Sequence, residues 1–335
     1  MKKSFAYILA FIIIIFVIPA LCTKKAKSIS TIAKEAEIYN EKEEVDYDYT
    51  KFGTIKLLHK ATGEVEELAI DKYLYGVVSA EMPAKYEIEA LKAQAIAART
   101  YTIYQIANNK GKHGDADICD DSNCCQAWIS KEDRMQKWSE EDRENYWNKI
   151  VKAVNETAGK IITYENKPIN AFFHSNSGGT TETVSNVWSG KDLPYLQSVE
   201  TSGEDGYSQY SSEVTISKKD LLEKLKKEYP DIQINYEENE SIKILDYTQS
   251  GRVKTVKFGN TEIAGTKVRS LLELKSTNFA IKLEGDNIIF SVKGYGHGVG
   301  MSQTGADNMA KNGSTCEEIL KHFYTGVEIT EIDNL

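Results

Sequence analysis

Proline is scarce in this chain, with 5 in 335 residues, and no stretch is rich in serine and proline. That excludes a stiff spacer between folded parts. No internal repeat divides the chain into modules. Positive charge is in deficit: 41 Lys and Arg stand against 50 Asp and Glu, a formal charge of -9. Such a balance argues against nucleic acid as a partner, because phosphate backbones are held by excess Lys and Arg. No nucleophile elbow occurs, so His174 and Ser175 do not read as a Ser/His nucleophile pair. What is present suits a globular protein. Hydrophobic residues make up 41 % of the chain, enough for a real core, and charged residues 27 %. The 19 tyrosines suit a protein that grips sugars, through ring stacking and a bonding hydroxyl, and suit a core equally well.

Residues 5–22 are apolar throughout and follow Lys2 and Lys3. Their length is near the lower bound for a membrane-spanning helix. A cleaved signal peptide is the rival, but Pro19-Ala20-Leu21-Cys22-Thr23 offers no clean small-x-small site. Leu21 also stands where a lipobox needs a small residue. The expected organisation is a cytoplasmic end at 1–4, a transmembrane anchor at 5–22 and a Lys- and Glu-rich tether at 23–50. A region outside the cytoplasm, 51–335, follows, with 207–260 as an accessory lobe. The chain is then a single-pass protein of the cell membrane.

The folded part opens with strand candidates at 52–58 and 65–70 around the Ala61-Thr62-Gly63 turn. Residues 131–157 read as helical, with Trp138, Tyr146, Trp147 and Ile150 in packing positions. Residues 161–164 and 171–173 read as a hairpin about a turn at 165–168. Residues 218–229 form a basic helix capped by Ser217. Strands are expected over 241–258, 261–263, 279–283 and 287–293. Two helices follow, over 304–312 and 314–324, the second with Ser314 as cap and Glu317 three residues on. Strands and helices mix without regular alternation, so the expected fold is α+β: mixed helices and antiparallel strands around a substrate cleft, behind one N-terminal transmembrane helix.

The segment from Asp71 to Pro83 carries the most chemistry. Asp71 suits an N-cap, and Tyr73, Leu74, Val77 and Val78 recur at helical spacing. Pro83 should end the helix near Ala80 or Glu81. A carboxylate there meets the negative end of the helix dipole and apolar neighbours, and both favour its protonated form. Glu81 is therefore a general acid or a solvated Glu before a proline turn. The next segment, 87–101, is Ala-rich and reads as a strong helix. Its Lys92 and Arg99 are seven apart and share a face. They read as a grip on a polymeric substrate or as a solvated basic face.

Cysteine occurs 5 times. Cys22 belongs to the apolar N-terminal segment and Cys316 to a C-terminal helix. The others, Cys119, Cys124 and Cys125, crowd together behind His113. Three thiolates and an imidazole satisfy tetrahedral zinc. Outside the cytoplasm a disulfide is the alternative, which would leave an odd thiol beside it. A complete set of protein ligands makes the metal structural, pinning the loop beside the cleft. An open position would instead let the metal activate water, as in a zinc-dependent hydrolase.

Four separated blocks resemble the stage II sporulation protein D family: Tyr73–Tyr101, Phe173–Gly179, Trp188–Leu196 and Gly294–Ala306. The last contains Gly294-Tyr295-Gly296-His297-Gly298-Val299-Gly300. The resemblance implies a peptidoglycan lytic transglycosylase acting on peptide-free glycan strands during forespore engulfment, beside an amidase and membrane partner proteins. Glu81 would be its single catalytic acid, since a glycosidase of the usual kind needs two carboxylates. Lys92, Arg99, Tyr195, Ser175, Glu182, His297 and Gln303 would line the substrate cleft. Glu182 would be the rival acid, and His297 would line the cleft or hold its loop. Clostridial relatives imply zinc in the cysteine loop, with Cys124 where they carry His. A glycan-binding scaffold without catalysis is the other reading of the same cleft.

Overall fold

The computed structural model describes residues 53–332, except 109, 110, 189 and 239. The expected membrane anchor and tether lie outside the described residues, and so do residues 51 and 52. Among the described residues no helix is long and apolar enough to cross a membrane.

Strands β1 (Thr54–Leu58) and β2 (Val65–Ala69) form an antiparallel hairpin. Helix α1 (Ile70–Glu81) follows, and α2 (Ile88–Asn108) is the longest element. The first core is built around α2. Ala90, Ala93, Ala95, Ala97 and Ala98 are all fully buried, so the middle of this helix is enclosed on most sides. Small side chains let neighbouring helices approach that closely. Those neighbours are α1 and α4 (Arg143–Asn155), with α7 (Gln303–Lys311) and α8 (Cys316–Phe323) from the end of the chain.

The expected helix over 131–157 is two helices, α3 (Lys131–Lys137) and α4. The break was written in the sequence: Ser139 accepts a hydrogen bond from the Asp142 amide, a local turn that competes with the helix. Asp71 is not the N-cap of α1. That position is Ala69, and Asp71 is fully buried in the first turn. The cap of α8 is Thr315, paired with Glu318 in a capping box, one residue later than the expected Ser314 and Glu317.

Strand β4 (Lys160–Tyr164) pairs with β5 (Lys167–Pro168) around Glu165 and Asn166, both at positive φ, and with β14 (Glu328–Glu331). Residues 173–174, β6, do not join that hairpin; they pair in parallel with β13 (Met301–Ser302). Parallel pairing also joins β1 to β3 (Ile118–Cys119). The fold is α+β, with mostly antiparallel sheets and these two short parallel additions.

A second core gathers β7 (Ser211–Ser217), α5 (Lys218–Glu228) and the meander β8 (Ile242–Tyr247), β9 (Val253–Phe258) and β10 (Thr261–Ala264). It also takes in α6 (Gly265–Leu272), β11 (Asn278–Glu284) and β12 (Asn287–Lys293). This core extends past the 207–260 segment, because β7 pairs with β12 across 70 residues of chain.

Candidate active site

Glu81 is the last residue of α1, and Met82 leaves the helix with extended backbone ahead of Pro83. The Ala127 amide donates to Glu81 Oε1 at 2.6 Å. Gln303, at the start of α7, also bonds the carboxyl. Burial opposes these donors and wins, so Glu81 is held above the ordinary carboxylate range. The group opens onto a pocket of about 370 Å³. Ser175 and Gln303 line the same pocket.

The pocket is completed by side chains that sequence reasoning placed elsewhere or missed. Trp138 and Tyr146, read as packing residues, form part of its wall with ring centroids 5.5 Å apart. Arg134 lies over the Trp138 ring at 4.7 Å, and Gln209 enters from the chain leading into the second core. Arg134 and Trp138 stand four apart, the spacing that brings side chains together on a helix. With Trp138 at a helix break, that was the available signal. Glu81 is the one acidic residue among those lining the pocket within the described residues.

Several expected cleft residues lie away from it. Arg99 is fully buried. It pairs with Asp71 at 2.9 Å and donates to the carbonyls of Val154, Thr157 and Lys160. Its face of α2 is covered by α1 and α4, so Arg99 binds the protein to itself. Lys92 is held between Glu89, at 2.9 Å, and Glu156, at 2.7 Å. Burial works against its charge, but these carboxylates prevail and push its pKa up to about 12. Tyr195 is buried against Tyr164 and accepts from the Asn170 amide.

Glu182 is 1 % exposed. It accepts from the hydroxyls of Thr248 and Ser250, both at 2.6 Å, and from Thr183 and Asn186. It fastens the β8–β9 turn to the first core and is not in the pocket. His297 is packed between Trp188 and His174, with ring centroids 4.9 and 5.6 Å away. Its Nδ1 accepts from the Val299 amide, and burial holds it well below the usual histidine range. A neutral ring that holds its own loop is the arrangement observed.

Glu204 escaped sequence reasoning altogether. It is 1 % exposed and receives hydrogen bonds from Ser177, Gly179, Thr201, Ser302 and Thr304. Burial alone would raise its pKa; the hydroxyls of Ser177, Ser302 and Thr201 outweigh burial and lower it. Through those donors it fixes the two segments that carry Ser175 and Gln303.

His113, Cys119, Cys124 and Cys125 come together, with one donor atom from each lying within 4.8 Å of all the others. Cys125 Sγ and His113 Nε2 are 3.2 Å apart. All three cysteines are free thiols. Tetrahedral zinc with sulfur at about 2.3 Å needs donors just under 4 Å apart, so the cluster could hold such an ion. Burial, with Cys119 and Cys124 close by, pushes the Cys125 thiol up to about 12. Cys125 stands two residues before Ala127, the backbone donor to Glu81. Between them Gln126 is buried and donates to Tyr73 and Thr102.

A family model described as Stage II sporulation protein matches residues 59–164, and a domain of unknown function matches 200–300. The chain is similar to Stage II sporulation protein D of Bacillus amyloliquefaciens: 36 % identity over 282 residues, covering 84 % of this chain and 80 % of the relative. The protein of the same name from Bacillus subtilis (strain 168) is 35 % identical with the same coverage. Amidase enhancer of Bacillus subtilis (strain 168) is 28 % identical over 306 residues, covering 77 % of this chain and 40 % of that protein.

Proposed function

We propose, since this chain belongs to the stage II sporulation protein D family, that it acts in sporulation by cutting peptidoglycan glycan strands as a lytic transglycosylase. One observation carries the reading: the pocket is walled by aromatics and, among the described residues, holds a single acid, Glu81, which burial raises above the ordinary carboxylate range. Hydrolysis by a glycosidase of the usual kind needs a second carboxylate as nucleophile or base. A lytic cleavage needs one. Protonated Glu81 gives its proton to the glycosidic oxygen as the bond from C1 of the muramyl residue breaks. Glu81, now charged, takes the proton of the C6 hydroxyl on the same residue as that oxygen bonds C1. The product is a 1,6-anhydro sugar, and no water is consumed. Trp138 and Tyr146 offer ring faces to the sugars, and Ser175, Gln209 and Gln303 offer hydrogen bonds.

In this reading His113, Cys119, Cys124 and Cys125 hold zinc, and four protein donors leave no open position. The ion is then structural, and it steadies the loop that presents Ala127 to Glu81. The apolar segment at 5–22 anchors the chain in a membrane, with the folded part outside the cytoplasm. An amidase that strips stem peptides is the partner reaction.

The test is product analysis. Full-length protein and a Glu81→Gln variant are incubated with peptide-free glycan strands, and the products are weighed. Products one water lighter than hydrolysis products, made only by the unaltered protein, support the reading. Ordinary reducing ends sink it. Metal analysis of the same protein should give one zinc per chain; none would remove the zinc assignment.

A further inference from the structure

The backbone that forms one wall of the Glu81 pocket leads directly to a second pocket. Ser175 lines the first. Its neighbour Asn176 pairs with Tyr295 through two backbone hydrogen bonds, of 3.0 and 2.8 Å. The Gly296 amide then donates to the Lys275 carbonyl at 2.9 Å. Tyr295 and Lys275 line the second pocket, together with Arg269 and Ser270 of α6. It is open and measures about 360 Å³. Two backbone pairings of roughly 5 Å each separate its lining from Ser175, a span shorter than an extended polymer.

The chemistry of this second pocket is cationic in a chain of charge -9. Arg269 is largely buried, and its Nε is fixed by the Leu274 carbonyl at 3.3 Å. Burial holds the guanidinium below its usual range, and the counter-influence comes from the Tyr295 phenol. Among the described residues no carboxylate pairs with it. Glu273 also lines the pocket, and among the described residues it forms no ion pair with Arg269. Lys275 is exposed, and its ammonium lies 4.5 Å from the centre of the Tyr295 ring. A desolvated guanidinium without an acid partner costs free energy that an incoming anion recovers. A planar carboxylate fits a guanidinium fork better than a point charge does.

We propose that Arg269, Lys275 and Tyr295 form a carboxylate subsite of the glycan cleft, taking the lactyl carboxylate of a muramyl residue that carries no stem peptide. This rests on the reading of peptidoglycan as substrate. It gives the preference for peptide-free strands a physical basis in this chain. A stem peptide converts that carboxylate into an amide, which removes the charge and adds bulk. The subsite belongs to the second core, so that core selects the strand while the first core cuts it.

Binding tests this without requiring cleavage. Full-length protein carrying Glu81→Gln is titrated with N-acetylmuramic acid, its lactyl methylamide and N-acetylglucosamine, with binding followed by ligand-observed NMR. The acid should bind about tenfold tighter than either neutral sugar, the scale of one charge-assisted contact. Arg269→Gln should erase that preference. Lys275 is exposed, so Lys275→Gln tests the same point with little risk to folding, and it should weaken the preference severalfold. Equal binding of acid and amide overturns the subsite, as does a preference that survives both changes. Inorganic phosphate that displaces the acid at lower concentration also overturns it, in favour of a phosphate site. A protein that prefers the acid through Arg269 yet releases no products would retain the subsite and lose the lyase reading. Anhydro products with no carboxylate preference would do the reverse.

Discussion

Replacing Arg99 separates a folding role from a substrate role. Arg99 and Asp71 are both fully buried, 2.9 Å apart, and the same guanidinium reaches three carbonyls at the junction of α4 and β4. Arg99→Ala removes the cation 2.9 Å from Asp71, and removing one partner of a buried pair costs about 3–5 kcal/mol. For a domain of this size each kcal/mol lowers the melting temperature by roughly 2–4 °C, so a fall on the order of 10 °C is expected. Arg99→Lys keeps the charge but cannot serve Asp71 and the three carbonyls at once, and should fall between. The double change Arg99→Met with Asp71→Leu removes both charges and should recover most of the loss. Differential scanning calorimetry measures each protein, with glycan cleavage assayed well below the lowest midpoint. An Arg99→Ala protein that melts normally but cannot bind or cut glycan would refute the argument and return Arg99 to the substrate path.

Three further outcomes are expected. Gln303→Leu removes a hydrogen bond that favours charged Glu81. Cleavage that starts from protonated Glu81 fades as pH rises through its raised pKa, so this variant should keep activity to higher pH; an unmoved alkaline limb would count against Glu81 as the acid. Glu204 has its pKa lowered on folding, so its contribution is present above the unfolded carboxylate value of about 4.3 and is lost as pH falls through its lower folded value. Glu204→Gln should cost about 1–3 kcal/mol near neutrality and less in acid, as read by urea unfolding at several pH values. At Gly76 an added Cβ would stand 2.2 Å from the Trp128 ring nitrogen. Gly76→Ala should therefore destabilise by about 1–3 kcal/mol and disturb the adjoining Ala127 donor, which a shifted pH profile would report.

The parts of the fold that were legible depend on near neighbours in sequence. Pro83 ends α1 within a residue of where its ring forbids helix, and Ser217 caps α5 as its position suggests. The family blocks drew attention to Glu81, Ser175 and Gln303, which do meet in one pocket. Charge patterns misled where a partner lay far along the chain. Arg99 looked like a surface cation because Asp71, 28 residues away, looked like a cap. Glu182 looked available because its donors, Thr248 and Ser250, lie 66 and 68 residues downstream. Glu204 carried little local signal, since apart from Thr201 its donors come from two distant segments that only folding brings in. Buried polar groups must be satisfied, but which groups satisfy them is a tertiary fact.

The cysteine loop and the acid are coupled by the shortness of the chain between them. Cys125 belongs to the metal-competent cluster, and Ala127, two residues on, donates to Glu81 at 2.6 Å. A one-acid mechanism needs a carboxyl that releases its proton and then recovers one, so its pKa must lie between extremes. Burial pushes Glu81 upward, and the Ala127 amide and Gln303 restrain it. A loop free to drift by an ångström would weaken the Ala127 bond and leave burial less opposed. Glu81 would then be pushed further above the ordinary carboxylate range. In the proposed reading, a closed metal site outside the pocket would fix one backbone amide without placing a second charge beside the reacting sugar.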